Sequence, residues 1–580
     1  MKSSQRETLV YLVAFGLALA LRMIHLGALP LTDAEARLAL QALGVARGAG
    51  PDLSSQTAYI LPTAVLFFAF AGGTNFLARL IPALAGSALV FAPLLFREQL
   101  KPRPGMILAV FIALDPGLLA LSRQAGGTIL AVTFLLFAWA FWAKGEAPWA
   151  GVFGALALMS GPQVWAGLLG LGLAWAIRQG LEARRPPEGA HDTAPRDHKM
   201  WPAALAAGAG TLILGGTLFL LAPKGLGAWA ASLYDYLRGW GEPSGVPVRR
   251  LLIALVLYAP LPVIFGLTGI VRGWVSGSWR AVRLSLWALV ALLLALFYPG
   301  RQVADLIWVL LPLSALAALE LARHLDWGTE ERAEVAGSIG LVAFVLMAAW
   351  MSLATIAQNP LDPANTIGLP VALFGKLTFT LPPRPISLLL VLMFILVVSV
   401  LLVAMGWSTR MARLGAVWGS VLALTAYSFA AAWGAAGLRV PLTPEMWSEG
   451  ARPDQADLLL TTVDQVSDWT QGDEEALAVT IVGIDSPALG WLLRDHPVEL
   501  TDSLDPTAAP ALVITGEQQE LGSQVPYRGQ DFVWRQEPMW DNALAGDWLR
   551  WIVFRQMPQI PETLILWARN DLFLDSRAAP

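Results

Sequence analysis

The sequence predicts an all-α polytopic membrane protein of about 13 transmembrane helices, ending in a small C-terminal α/β domain outside the membrane. Three observations carry that expectation. Hydrophobic residues make up 56 % of the 580 residues. Charged residues are only 14 %, against roughly 25 % in an ordinary soluble domain. The charge is also divided along the chain. Up to Arg439 there are 31 Lys and Arg against 20 Asp and Glu, whereas Val440–Pro580 holds 8 Arg, no Lys and 23 acids, so the formal −4 conceals +11 and −15. A basic, apolar body with an acidic tail excludes a disordered body and a single soluble globule.

The spans follow in order. Leu9–Leu26 comes after Lys2 and Arg6, as a helix entering from the cytoplasm should, and no small-residue cleavage site follows it. Later spans read as Phe76–Phe96, Met106–Leu121, Ile129–Ala143, Ala150–Gly161, Val164–Ile177 and Trp201–Leu221. Leu251–Val271, Leu284–Tyr298, Ala304–Leu321, Val335–Ile356, Ile386–Met405 and Ala412–Trp433 complete the set. Tyr59–Ala71 is too short to cross comfortably and reads as a re-entrant or surface helix. With that choice, the loops carrying Arg97/Lys101/Arg103, Lys144, Arg178 to Lys199, Arg272/Arg280/Arg283, Arg323/Arg332 and Arg410/Arg413 fall in the cytoplasm. The positive-inside rule then holds, with the N-terminus cytoplasmic and the tail extracytoplasmic in a cell membrane.

Two domains are expected: residues 1–439, a transmembrane body whose first external loop is 27–75, and residues 440–580, the external α/β domain. In the tail, Asp457–Thr470 and Ser486–Arg494 read as helices, and Ala476–Val482, Ala511–Thr515 and Thr563–Ala568 as strands. No Gly-rich phosphate loop or catalytic constellation is visible there.

Chemistry is sought on the external loops. The absence of cysteine excludes disulfides, Cys-ligated zinc, iron–sulfur clusters and thiol nucleophiles. No two of the five histidines stand at metal-ligand spacing on one helix, and His191 and His198 lie in a charged, Pro-rich stretch that reads as solvent-exposed. A divalent metal is left open, and nothing points to nucleic acid.

The sharpest local feature is the run from Leu31 to Ala42, an amphipathic helix expected to lie on the outer membrane face. Asp33 and Glu35 stand at its start. Thr32 and Glu35 form a capping-box pattern and Asp33 favours the helix dipole; alternatively, one of the acids is a general base. Arg79 at the outer end of a span either snorkels or binds a lipid phosphate. Asp115 and Arg123 lie near the outer boundary, where they pair with each other or with water, or serve a ligand. Arg301 and Asp305 are four apart, the spacing of a local ion pair, and Arg301 is otherwise a phosphate ligand. Arg249 and Arg250 head another span from outside. Trp229, Tyr234, Tyr236 and Trp240 read first as an interfacial belt and second as a sugar platform.

Taken together, the acidic motif after the first span, the stretch from Phe67 to Gly86 containing Phe76-Leu77-Ala78-Arg79-Leu80-Ile81-Pro82-Ala83-Leu84-Ala85-Gly86, and Ser122-Arg123 resemble the GT-C membrane glycosyltransferases. Dolichyl-phosphate-mannose protein mannosyltransferases, aminoarabinose transferases and Agl-type proteins are the nearest in pattern. The resemblance covers Leu9 to Gly145 best, and the ending Leu564–Leu572 is similar to the Agl-type terminus. It implies a GT-C-like fold, an outer-face active site, a polyprenyl-phosphate-linked sugar as donor, and a protein, lipid or glycan acceptor. It also implies that a first-loop acid, Asp33 or Glu35, is the base, and that arginines hold the departing phosphate. Two departures stand out. Ala34 separates Asp33 from Glu35 where the family has adjacent acids, and Ser122-Arg123-Gln124-Ala125-Gly126-Gly127-Thr128 lacks the family's second Arg and its Asp. A non-catalytic relative serving envelope glycan assembly, and a lipid or sugar transporter, are the alternative readings.

Overall fold

The computed structural model describes residues 3–183, 200–325, 332–358, 369–373, 377–381, 384–518 and 521–573. His191, His198 and most of the Arg178–Lys199 loop lie outside the described residues. Among the described residues, seven helices are long and apolar enough to cross a membrane, or up to nine if each of two bent pairs is one span, against an expectation of about thirteen that also counted shorter apolar helices. The chain is a multi-pass membrane protein with a small C-terminal sheet.

Four helices open the chain: α1 (Ser3–Met23), α2 (Asp33–Ala46), α3 (Thr57–Ala69) and α4 (Asn75–Ala88). The capping box at α2 is formed, because Thr32 accepts from the Glu35 amide while the Glu35 carboxylate accepts from the Thr32 amide. α2 does not lie on a lipid face, however. Its inner stripe, Ala36, Leu38, Ala39, Ala42 and Leu43, is buried in one apolar core with Tyr59 and Phe67 of α3 and with Leu489 and Trp491 of the tail. The expected interfacial helix is a wedge between body and tail, since a protein surface covers the stripe that lipid would otherwise have covered.

Two expected spans are broken. Leu251–Val271 divides into Val248–Tyr258 and Pro260–Val275, bent by 92°, because Pro260 has no amide to continue the first helix. Pro102–Leu114 and Pro116–Ser122 bend by 55° at Asp115, where Pro116 restarts the helix and the Asp115 carboxylate accepts from the Leu118 amide at 2.9 Å. The stretch 222–248 holds a helix of its own, Gly225–Arg238. The 358–384 stretch holds a two-stranded antiparallel hairpin of β1 (Leu369–Leu373) and β2 (Leu377–Leu381).

The tail forms a five-stranded sheet of β3 (Val479–Val482), β4 (Val498–Thr501), β5 (Leu512–Gly516), β6 (Tyr527–Pro538) and β7 (Gln559–Arg569), in the order β4-β3-β5-β7-β6. β3 pairs in parallel with β4 and β5, while β7 runs antiparallel to β5 and β6. Ala456–Gln471 and Pro487–Leu492 are helices as expected. Strands β4 and β6 and the helix Ala545–Phe554 had not been read from the sequence. Between Ala435 and Ala456 the chain runs without regular helix or strand, and this strap enters the body. Met446 and Trp447 are buried in the same core as Tyr258, Leu310 and Trp551.

Candidate active site

The site is built where the end of α1, the start of α4 and the end of Pro116–Ser122 meet α2 and the strap. Arg79, projecting from α4, grips Glu35 in a bidentate pair: Nε donates to Oε1 and Nη2 to Oε2, each at 2.8 Å. Both side chains are almost fully buried, 2 % and 3 % exposed. Glu35 Oε1 also accepts from the Ala125 amide at 2.9 Å, and Oε2 from the Thr32 amide at 3.1 Å. Two contacts per oxygen fill the carboxylate's acceptor capacity. Burial alone would raise the Glu35 carboxyl, but the Arg79 charge and hydrogen bonds outweigh it and hold the pKa at about 2.

The rest of the Arg79 fork donates to the carbonyls of Leu26, Leu29 and Pro30, at 3.3, 2.7 and 2.9 Å. Arg123 works on the preceding stretch. Its Nη1 donates to the carbonyls of Leu21, Arg22 and Ile24 at 3.0, 2.9 and 2.8 Å, and its Nε to the Ala436 carbonyl at 2.8 Å. The last carbonyls of a helix have no partner within it, and a cation there also meets the negative end of the helix dipole. Arg123 therefore caps α1, and Arg79 holds the turn that follows. Behind them, a methyl group on Gly86 would collide with the Ser122 hydroxyl, so the glycine of one motif is needed to admit the serine of the other.

Other predicted residues go elsewhere. The Asp33 carboxylate accepts from Ser486 Oγ at 2.8 Å and the Ala488 amide at 3.0 Å, and forms an ion pair with Arg535, all three in the tail. Asp115 caps its helix rather than pairing with Arg123. Arg301 and Asp305 do not pair. Arg301 donates to the Val246 carbonyl at 3.1 Å, and Asp305 accepts from the Gln302 amide at 2.8 Å, the cap of a 3-10 turn. Arg249 and Arg250 meet Asp541 of the tail at 3.4 and 3.0 Å on the surface. Of the aromatic group, Tyr236 is buried and stacks on Tyr298 with centroids 5.0 Å apart, while Tyr234 is exposed, so it is not a uniform belt.

Two residues of the strap complete the site, and neither was picked out from the sequence. Arg452 has a buried Nε without a partner, and no hydrogen bond or ion pair holds its guanidinium among the described residues. Burial and the neighbouring Arg79 lower its pKa to about 10, so it keeps its charge near neutrality. Glu449 keeps part of its side chain open to solvent, and no hydrogen bond or ion pair holds it among the described residues; the protein packed around its carboxyl and the charge of Glu35 push that carboxyl up. Arg79, Arg123 and Arg452 repel one another, which marks a surplus of positive charge against the single paired acid Glu35. Such a surplus in a partly desolvated place favours an anion. Among the described residues no group of three or more His, Asp or Glu side chains is arranged to hold a metal.

No protein-family model matches the chain, and no curated protein matches it in sequence. Its architecture does match solved structures. ArnT from Cupriavidus metallidurans bound to undecaprenyl phosphate superposes with a TM-score of 0.54 at 13 % identity, over 98 % of this chain and 99 % of that one. The apo form of the same protein gives 0.50 at 13 % identity, over 96 % and 97 %. AglB, the oligosaccharyltransferase of Archaeoglobus fulgidus, in complex with an inhibitory peptide and a dolichol-phosphate, gives 0.42 at 12 % identity, over 88 % and 69 %. The chain thus has the GT-C fold, from the first helix to the C-terminal sheet. At these identities the likeness is one of fold.

Proposed function

We propose that this protein transfers a sugar from a polyprenyl-phosphate donor to an acceptor hydroxyl at the outer face of the membrane. The observation that carries the reading is Arg452, which no side chain pairs among the described residues, on the same strap as Glu449 at the junction of body and tail in a chain with the GT-C fold. The ArnT structure of that fold holds undecaprenyl phosphate. We read thirteen crossings: the nine spans that count each bent pair once, together with α1, Thr128–Ala143, Ala147–Leu158 and Met200–Leu214, leaving α3 as the short non-crossing helix. This keeps the N-terminus cytoplasmic and the tail outside, with the body taken as 1–439 and the tail as 440–580.

In the proposed reaction the acceptor hydroxyl attacks the anomeric carbon and gives its proton to the Glu449 carboxylate. The bond between that carbon and the phosphate oxygen breaks, its electron pair leaves with the polyprenyl phosphate, and Arg452 stabilises the charge that develops there. A preorganised cation aimed at a departing oxygen is among the largest catalytic effects available. A carboxyl whose pKa is raised toward the working pH is a stronger base than an ordinary one. Arg79 and Arg123 contribute by fixing the first loop, and Arg301, which keeps a buried Nε without a partner, is a second candidate for the anion. The donor sugar and the acceptor stay open.

A non-catalytic accessory role is favoured by one observation: Glu35 and Asp33, the acids implied as base, both have their oxygens occupied by protein donors. The test is release of polyprenyl phosphate from a panel of polyprenyl-phosphate sugars by the protein in nanodiscs, with candidate acceptors present. Turnover that disappears in Glu449→Gln supports transfer. Binding without turnover across the panel supports the accessory role, and turnover unchanged in Glu449→Gln removes that residue from the reaction.

A further inference from the structure

A second charged recess lies at the opposite end of the helices that build the site. Its walls come from the start of α1, the turn before Pro102, the end of Pro260–Val275 with the start of Trp279–Phe297, and the last turns of Val303–His324. α1 carries Arg6 at this end and the turn held by Arg123 at the other. The helix after Lys101 likewise leads to Asp115, and Val303–His324 begins beside Asp305. At 1.5 Å per residue, the 21 residues of α1 separate the two ends by roughly 30 Å.

The recess has a volume of about 970 Å³. Among the described residues six cations line it, Arg6, Arg97, Lys101, Arg103, Arg280 and Arg323, against two acids. Both acids are already engaged. Glu7 is paired with Arg97 at 2.8 Å, and Glu320 with Arg272 at 3.0 Å. No ion pair holds Arg6, Lys101 or Arg280 among the described residues, and all three are exposed. Lys101 has φ +68° and ψ 159°, a backbone conformation that a residue with a Cβ adopts at a cost, and it faces the cavity. Leu100, Met106 and Leu316 give the recess an apolar side.

Cations that serve only to orient spans have no reason to converge on one cavity, because each would gain more solvation by spreading into water. Convergence with the local acids already neutralised leaves a net positive hollow beside an apolar wall. We infer that this recess binds a phosphate group, as a phosphodiester of an anionic phospholipid headgroup or as free inorganic polyphosphate. Basic pockets between membrane helices suit such headgroups. The inference does not depend on sugar transfer, since it uses none of the residues at the other end.

The test uses the full-length protein purified in neutral detergent. Thermal unfolding and native mass spectrometry are run with phosphatidylglycerol, phosphatidylcholine or sodium pyrophosphate added. The wild type should retain phosphatidylglycerol over phosphatidylcholine, and the double variant Lys101→Gln/Arg280→Gln should retain it about 10-fold less. Lys101→Arg/Arg280→Lys should keep binding, which separates loss of charge from loss of fold. Arg413→Gln, outside the recess, should also keep it. Stabilisation by pyrophosphate alone, lost in the same double variant, assigns the site to free phosphate. Equal retention of all probes by wild type and double variant, or no preference for either anion over phosphatidylcholine in the wild type, overturns the inference.

Discussion

Arg79 and Glu35 form a bidentate pair closed off from water, with 2.8 Å separations on both oxygens and no acceptor position left on the carboxylate. That geometry suits a structural lock better than a base. It fastens α2 to α4, and it holds the turn after α1 through the remaining Arg79 donors. Breaking a buried pair by removing one partner leaves an uncompensated charge, at a cost of about 3–5 kcal/mol. Glu35→Gln and Arg79→Leu should therefore lower the unfolding temperature in detergent by several degrees. Activity per folded molecule should fall much less than the amount of folded protein. A large loss of turnover with an unchanged melting temperature would instead make Glu35 a participant in the chemistry.

The same pair sets a pH dependence. The Glu35 pKa is depressed in the folded protein to about 2, below the value of about 4.3 for an unfolded glutamate. Its contribution is present in full above pH ~4.3 and is lost as the pH falls from there through ~2. Wild type should thus lose stability faster than Glu35→Gln over that window, measured by thermal unfolding from pH 5 to 2.5. Parallel curves for the two proteins would contradict the assignment.

Glu449 should shift the other way. The protein around its carboxyl and the Glu35 charge raise its pKa, so its basic form appears at higher pH than that of an ordinary glutamate. Transfer activity should rise with pH along a limb displaced above the usual carboxylate range. Glu449→Gln should remove at least 10²-fold of the rate, the scale of a general base, while the melting temperature stays near wild type. A limb at the position of an unperturbed glutamate would argue for another base.

Gly86→Ala places a methyl group against Ser122. Overpacking of this kind costs about 1–3 kcal/mol. Ser122→Gly in the same chain should recover most of the loss, so a double-mutant cycle should return a clear coupling between the two positions. Additive effects would mean that the two helices are not in contact there.

Asp541 receives Arg249 and Arg250 on the surface. Exposed pairs contribute about 0–1 kcal/mol, so Asp541→Asn should leave the unfolding temperature almost unchanged and neither arginine should be needed for donor binding. A marked drop in donor affinity for Arg250→Gln would return that residue to the site.

Local signals were legible in the sequence and distant ones were not. The start of α2 could be read because Thr32 and Glu35 are three residues apart and cap one helix. The partner of Glu35 could not, because Arg79 is 44 residues away on another helix. Arg123 stood out as a charge at a helix end, but its task as the cap of α1 depends on carbonyls about a hundred residues earlier. The bend at Pro260 was masked by the apolar run around it, which matches a span in composition while the proline removes the continuing hydrogen bond. Strand β6 escaped notice because most of its first half faces solvent and is polar. Arg452 and Glu449 were missed because the strap has no periodicity, and only the folded chain brings Arg452 near Arg79 and Glu35 and Glu449 near Glu35.

The central claim is that Arg452 forms an anion site at the outer junction of body and tail, and equilibrium binding of undecaprenyl phosphate to the purified protein tests it most directly. Replacing Arg452 by Gln should weaken binding about 10-fold or more, the scale of a charge-assisted hydrogen bond to phosphate, with the melting temperature retained and with Arg249→Gln binding like wild type. Equal affinity of wild type and Arg452→Gln would contradict it.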